Sequence, residues 1–174
     1  MFGVIKVIHN FPESLALSHD ATDLKIWEEI YIKAFPNFQT MVDHRQDGEH
    51  QRAGIDRSII LNNSKQILID EKVRFKFYND IALEYLSNDR TGALGWVCKP
   101  LRADYICYAI KPVGKAFLLP VQQLQKAWIM NDWKRIYPCK PAKNIDYQTW
   151  NCFVPVDVLF KAIGKCLRIE FEPC

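Results

Sequence analysis

The sequence predicts an α/β fold: a central mixed sheet built around an antiparallel meander and flanked by helices. The meander follows from two strand-like runs, 54–61 (GIDRSIIL) and 66–77 (QILIDEKVRFKF), joined by the turn signal Asn62-Asn63-Ser64-Lys65. The flanking helices follow from helical periodicity on either side, at 24–35 and 122–137. With 174 residues and 20.3 kDa, the chain suits a single domain spanning 1–174 with one sizeable core. A hydrophobic content of 49% with 25% charged residues excludes a disordered chain, a collagen-like repeat and a small disulfide scaffold.

Taken in order, Met1 to His9 (MFGVIKVIH) is apolar but short. It has no basic n-region and no small-residue cleavage site, so it reads as a first strand rather than a signal peptide. A homodimer would cover that apolar edge. No segment reaches the roughly 18 apolar residues that a membrane span needs. Asp20-Ala21-Thr22-Asp23 then precedes the helix-like run 24–35, which Thr22 or Asp23 can cap and Pro36 helps to end. Leu24, Trp27, Tyr31, Ala34 and Phe35 fall on one arc about 100° wide, and Glu28 falls just inside its edge. A carboxylate on a core-facing stripe needs a partner, which makes Glu28 a candidate.

Residues 41–52 (MVDHRQDGEHQR) are strongly polar and read as a loop. In the run 66–77, Ile67, Ile69, Glu71, Val73, Phe75 and Phe77 share one strand face, and Leu68, Asp70, Lys72, Arg74 and Lys76 share the other. A third meander strand follows at 81–86, then a loop at 87–95. Two further strands are expected at 105–110 and 116–121. An amphipathic helix at 122–137 and a short last helix at 156–163, with Pro155 at its start, complete the reading.

The charge is divided unevenly. Residues 1–90 carry 11 Lys/Arg and 14 Asp/Glu, whereas 91–174 carry 12 and 6. That split suits metal-binding carboxylates lying beside a phosphate-binding surface. If strands 54–61 and 66–77 pair across the turn, Asp56 lies opposite position 70, 71 or 72. Residues opposite on one face have Cβ atoms about 4.5–5.5 Å apart. Asp56 and Asp70 then converge, with Lys72 beside them. Two carboxylates so close repel unless a proton or cation lies between them. Hard oxygen ligands favour Mg²⁺, with Mn²⁺ as an alternative. A lysine next to such a site can orient a water or pair with a phosphate oxygen, so Asp, Asp and Lys form a minimal apparatus for phosphodiester hydrolysis.

These residues resemble the PD-(D/E)XK nuclease superfamily, which includes restriction endonucleases and Holliday-junction resolvases. Asp56 is similar to the first acid, and Asp70-Glu71-Lys72 resembles the (D/E)XK element. Ile55 stands where the motif's proline would be. Gly54-Ile55-Asp56, Ile69 to Phe75, Glu84, Gly95-Trp96 and Ala103-Asp104-Tyr105 extend the likeness over roughly 24–121. The resemblance implies a restriction-endonuclease-like sheet and a Mg²⁺-dependent endonuclease acting on DNA. It implies Asp56, Asp70 and Lys72 as catalytic residues, and metal ligation by Asp56, Asp70 and the Glu71 backbone carbonyl. Glu28, on a preceding acidic helix, would hold a second metal or a bridging water. A bulge would exchange Asp70 and Glu71 as side-chain ligand, and that choice stays open. Gln51 resembles the polar residue often found near the first acid. Arg74 and Lys76 extend the polar strand face toward backbone phosphates.

Other candidates carry weaker chemistry. Glu84 reads as a solvated strand residue and Asp104 as a turn or cap residue. His44 and His50, in the polar loop with Asp43, Asp47 and Glu49, have a spacing that suits no familiar zinc pattern. Trp96, Trp128 and Trp133 can stack on bases or fill a core, and Trp128 reads as core. Cys98, Cys107, Cys139, Cys152, Cys166 and Cys174 form no CxxC pair and read as reduced thiols of a cytoplasmic protein. The alternative to an enzyme is a PD-(D/E)XK-like module that binds nucleic acid or protein without catalysis.

Overall fold

The computed structural model describes residues 21–164 and 166–173. The N-terminal strand expected at 1–9 lies outside them. The described elements are α1 (Ala21–Ala34), β1 (Phe38–Asp43), α2 (Gly48–Arg52), β2 (Arg57–Leu61), β3 (Gln66–Arg74), β4 (Asp80–Asn88), β5 (Ala93–Leu94), β6 (Tyr105–Ile110), β7 (Lys115–Pro120), α3 (Val121–Met130), α4 (Trp133–Ile136), β8 (Cys139–Lys143), β9 (Gln148–Pro155), α5 (Val156–Ile163) and β10 (Leu167–Glu170). They form a six-stranded mixed sheet in the order β1-β2-β3-β6-β7-β10 and a four-stranded sheet in the order β5-β4-β9-β8. No helix is long and apolar enough to cross a membrane among the described residues.

The expected hairpin is present. β2 and β3 pair antiparallel, with Arg57 against Ile69 and Ile59 against Ile67. On its other edge β3 pairs with β6, the parallel pair of the large sheet, Ile69 against Tyr105 and Lys72 against Tyr108. Asp104 sets that register: Leu68 N–H donates to its carboxylate at 2.8 Å and its own N–H donates to the Leu68 carbonyl at 2.7 Å. Asp104 is thus the cap-like residue expected.

Alternation along β3 separates two cores. Ile69 packs with Ile59, Cys107 and Ala109 under α1, against Ile26, Trp27, Ile30 and Tyr31. On the opposite face Ile106, Tyr108 and Ile110 of β6 meet Ile81 and Leu83 of β4, Val154 of β9, Leu124 of α3 and Leu159 of α5. The small sheet therefore covers one face of the large sheet and α1 covers the other.

Four expectations are corrected. The stretch 41–52 is a loop only at 44–47: its first residues belong to β1 and its last to α2. Among the described residues β1 is an edge strand, paired with β2 and largely exposed, so it needs no apolar alternation. The strand at 81–86 does not continue the meander. It pairs with β5 and β9 instead, because β6 already occupies the free edge of β3. β3 ends at Arg74, whose guanidinium donates to the Asp80 carbonyl at 2.8 Å and carboxylate at 2.6 Å and turns the chain away. The helix at 122–137 divides at Asn131, an extended residue whose backbone N–H and side-chain amide both donate to the Ala127 carbonyl. Strands β8, β9 and β10 were not expected in the tail.

Candidate functional site

Gly54 delivers the first acid. Its φ of +70° carries the chain out of α2 toward β2, and a side chain there would run into Leu101. Continuing the β2–β3 register by one pair sets Asp56 against Asp70. The Asp56 carboxylate accepts the Glu71 backbone N–H at 2.7 Å, which fixes it on β3. Asp70 lies on the same face and is 4% exposed. Lys72 donates to the Asp70 carboxylate and, at 3.2 Å, to the Glu71 backbone carbonyl. The Lys72 side chain keeps 30% exposure, so the group is reached from solvent through the lysine.

Electrostatics follow from this crowding. Burial, more than any other influence, pushes the Asp70 carboxyl up to about 6; Lys72 pulls it down and Asp56 adds to the rise. Burial lowers the Lys72 pKa, but Asp70, Asp56 and Glu84 together hold it above the usual lysine range. Glu84 is the residue that sequence reasoning passed over. It projects from β4 of the small sheet, and burial raises its carboxyl while Lys72 and Lys99 oppose the rise. Gly95 lets it sit there. A Cβ at 95 would overlap the Glu84 backbone carbonyl, which accepts the Val97 N–H at 3.1 Å. Glu84 and Gly95-Trp96 belong to the pattern that carries the resemblance, but no strand pairing visible in sequence brings β4 to β3.

Glu71 points the other way. Its carboxylate accepts from Arg57 Nε at 2.5 Å and from the Tyr31 hydroxyl at 2.7 Å, under α1. Burial pushes its carboxyl up to about 7, against the pull of Arg57 and Tyr31. Of positions 70 and 71, Asp70 is the one whose side chain lies beside Asp56; at Glu71 it is the backbone carbonyl, bound by Lys72, that lies on that side. Arg57, fully buried, is a second residue missed in sequence. Its Nη1 lies 3.3 Å from the Asp43 carboxylate, yet neither terminal nitrogen finds a hydrogen bond in good geometry. The guanidinium therefore depends on charge from Asp43 and on the single bond to Glu71.

Glu28 requires correction. The buried face of α1 runs through Ile26, Trp27, Ile30, Tyr31, Ala34 and Phe35, which turns Glu28 to solvent. The helix also covers the face of β3 opposite to Asp70 and Lys72, so Glu28 is no ligand for that site. Gln51 sits exposed in α2 with its amide bound to the Arg45 carbonyl. Arg74 is engaged by Asp80 and stacks over Tyr78, at 4.7 Å from the ring centre. Lys76 lies exposed past the end of β3 and shares no strand face with Lys72. Trp96 and Trp133 are buried in the core beneath the small sheet, and Trp128 packs against it, so none of the three is a free stacking platform.

Two surface hollows of about 180 Å³ lie elsewhere, one between Asp89-Arg90 and 143–148 and one at 128–134. No family model, curated protein or solved structure matches the chain.

Proposed function

We propose that the chain is a divalent-metal-dependent endonuclease with a restriction-endonuclease-like core, cleaving DNA phosphodiester bonds. The observation that carries this reading is the meeting of Asp56, Asp70, Lys72 and the Glu71 carbonyl on one face of the β2–β3 hairpin. The antiparallel run β1-β2-β3, continued by parallel β6 and covered by α1, supports the same core.

The donor set fits a hard cation. Two carboxylates and a carbonyl are oxygen ligands, and burial with the neighbouring Asp56 raises the Asp70 carboxyl against the pull of Lys72. Asp56, Asp70 and the Glu71 carbonyl would hold Mg²⁺ or Mn²⁺, which supplies Lewis acidity at the scissile phosphate. Asp56 is oriented for this by the Glu71 N–H. Lys72, kept protonated by three carboxylates, orients the attacking water and meets the charge that develops on the phosphoryl oxygens. Glu84 acts through Lys72 and is a positioning residue. The Arg57–Glu71–Tyr31 contacts behind the strand hold the Glu71 carbonyl on the site side.

Incubation of the purified protein with plasmid or branched DNA and Mg²⁺ or Mn²⁺ tests this. Cutting that disappears with a chelator and in Lys72→Met supports the reading. Nucleic-acid binding without metal-dependent cutting overturns it in favour of a non-catalytic module.

A further inference from the structure

Next to Asp56, but outside the carboxylate site, His44, Asp47 and His50 come together. Each offers a ligand atom, and the three atoms lie within 4.8 Å of one another. The two imidazoles stack with centres 4.0 Å apart and planes 5° from parallel. His50 Nδ1 donates to the Asp47 carboxylate at 2.8 Å. His44 Nε2 shares a hydrogen bond of 2.8 Å with Ser58 Oγ, which in turn accepts from the Gln66 amide at 2.8 Å.

We infer that His44, Asp47 and His50 form a second, distinct metal site, which takes a borderline transition ion of the Zn²⁺ class. Two imidazoles and one carboxylate are a donor set that Zn²⁺ accepts and Mg²⁺ does not favour. Three protein ligands leave one tetrahedral position for water or for a group from a partner. The neighbours are those of a built site: Ser58 and Gln66 orient His44 from β2 and β3, as outer hydrogen bonds orient metal-bound histidines. The Asp47 carboxylate also caps α2 by accepting the Glu49 N–H at 2.9 Å, so its position is fixed before any ion arrives. Ligand bonds of about 2.0–2.1 Å at a tetrahedral angle separate donor atoms by roughly 3.3 Å. Binding needs the 2.8 Å contact between His50 and Asp47 to open, the His50 proton to move from Nδ1 to Nε2, and one of the two stacked rings to turn, since an ion lies in the plane of each imidazole that holds it.

The site is wired to the first acid. His44 N–H donates to the Asp56 carbonyl at 2.8 Å, and Ile55 N–H donates to the His50 carbonyl at 2.9 Å. An ion on these side chains would cross-link the segment 44–50 within itself, and the two backbone hydrogen bonds would pass that stiffness to the residues that deliver Asp56. Its role is to stiffen the approach to the nuclease site rather than to react there. The proposed nuclease activity gives this role its purpose, but zinc binding itself does not depend on it.

The test uses metal-free, full-length protein titrated with ZnCl₂ by calorimetry, with bound metal counted by elemental analysis. One ion is expected to bind at saturation. Affinity should fall at least tenfold in His44→Ala and in Asp47→Asn, the latter keeping a capping oxygen for α2. The paired change His44→Ala/His50→Ala should abolish this site. The Asp56→Asn/Asp70→Asn variant should bind zinc as the unchanged protein does, which separates this site from the carboxylate site. The proposal is overturned if no saturable zinc binding occurs, or if the double histidine variant, shown folded by circular dichroism, retains it through cysteines or the other histidines.

Discussion

The Asp56 carboxylate accepts the backbone N–H of Glu71 at 2.7 Å, so the acid of one strand is fastened to the strand that carries the other. The pairing of Asp56 with Asp70 is therefore a property of the hairpin and not of two free side chains. Asp56→Asn keeps an acceptor oxygen for Glu71 and removes only the charge. It should alter folding stability by less than about 1 kcal/mol, while Mn²⁺ affinity falls by at least about tenfold and DNA cleavage by about a hundredfold or more. Thermal unfolding, calorimetric titration and a nicking assay check the three parts.

Glu71 and Lys72 are neighbours in sequence with opposite duties. Breaking the buried contact of Glu71 with Arg57 leaves a guanidinium that has little else to hold, and breaking one partner of a buried pair costs about 3–5 kcal/mol. Glu71→Gln should be markedly destabilised in urea, yet cut at no less than about a third of the normal rate per folded molecule, since its carbonyl remains. Lys72→Met should show the reverse, with a loss of about a hundredfold or more in cutting. A loss of activity in Glu71→Gln with full stability would refute this division.

Asp70 makes metal-free stability depend on pH. Its folded pKa, about 6, lies above its ordinary value of 3.8, so the native state binds the proton more tightly than the unfolded chain does. The stability it contributes is complete below about pH 4 and is lost as pH rises through about 6. Asp70→Asn should therefore gain in melting temperature relative to the unchanged protein on going from pH 4 to pH 7 in EDTA. A constant difference across that range would contradict the burial of the Asp70 carboxylate beside Asp56.

Gly95 lies tight against Glu84, the carboxylate of the small sheet that supports Lys72. Because a methyl group there would overlap the Glu84 backbone carbonyl, Gly95→Ala should lower stability by about 1–3 kcal/mol, as overpacking does. Glu84→Gln, which is smaller in effect, should leave the fold intact and reduce cutting by about tenfold. Its pH profile should shift as Lys72 loses part of its electrostatic support. Unchanged kinetics in Glu84→Gln would remove Glu84 from the account.

What the sequence made legible was whatever depends on neighbours along the chain. Strand period alone assigned Ile69 and Glu71 to one face and Asp70 and Lys72 to the other, and the turn at Asn63 gave the hairpin that brings Asp56 to Asp70. The parallel partner of β3 was not legible, because β6 arrives after a long excursion and its pairing depends on the Asp104 clip. Glu84 was misread for the same reason: a strand taken as the third of a meander belongs to another sheet. Glu28 failed differently. Ile26 and Ile30 extend the buried face of α1 on one side, which rolls Glu28 out of the stripe on the other. Polar β1 was hidden because an edge strand does not need alternation. His44 is the loop residue expected, but the sequence did not show that α2 would stack His50 against it.

The most direct measurement is a crystal of the protein soaked in Mn²⁺ and examined by anomalous scattering. The account predicts a peak bounded by the Asp56 and Asp70 carboxylates and the Glu71 carbonyl oxygen, with Lys72 alongside and Glu28 remote. A fully soaked crystal with no peak between those two carboxylates, or one in which their side chains diverge, would contradict it.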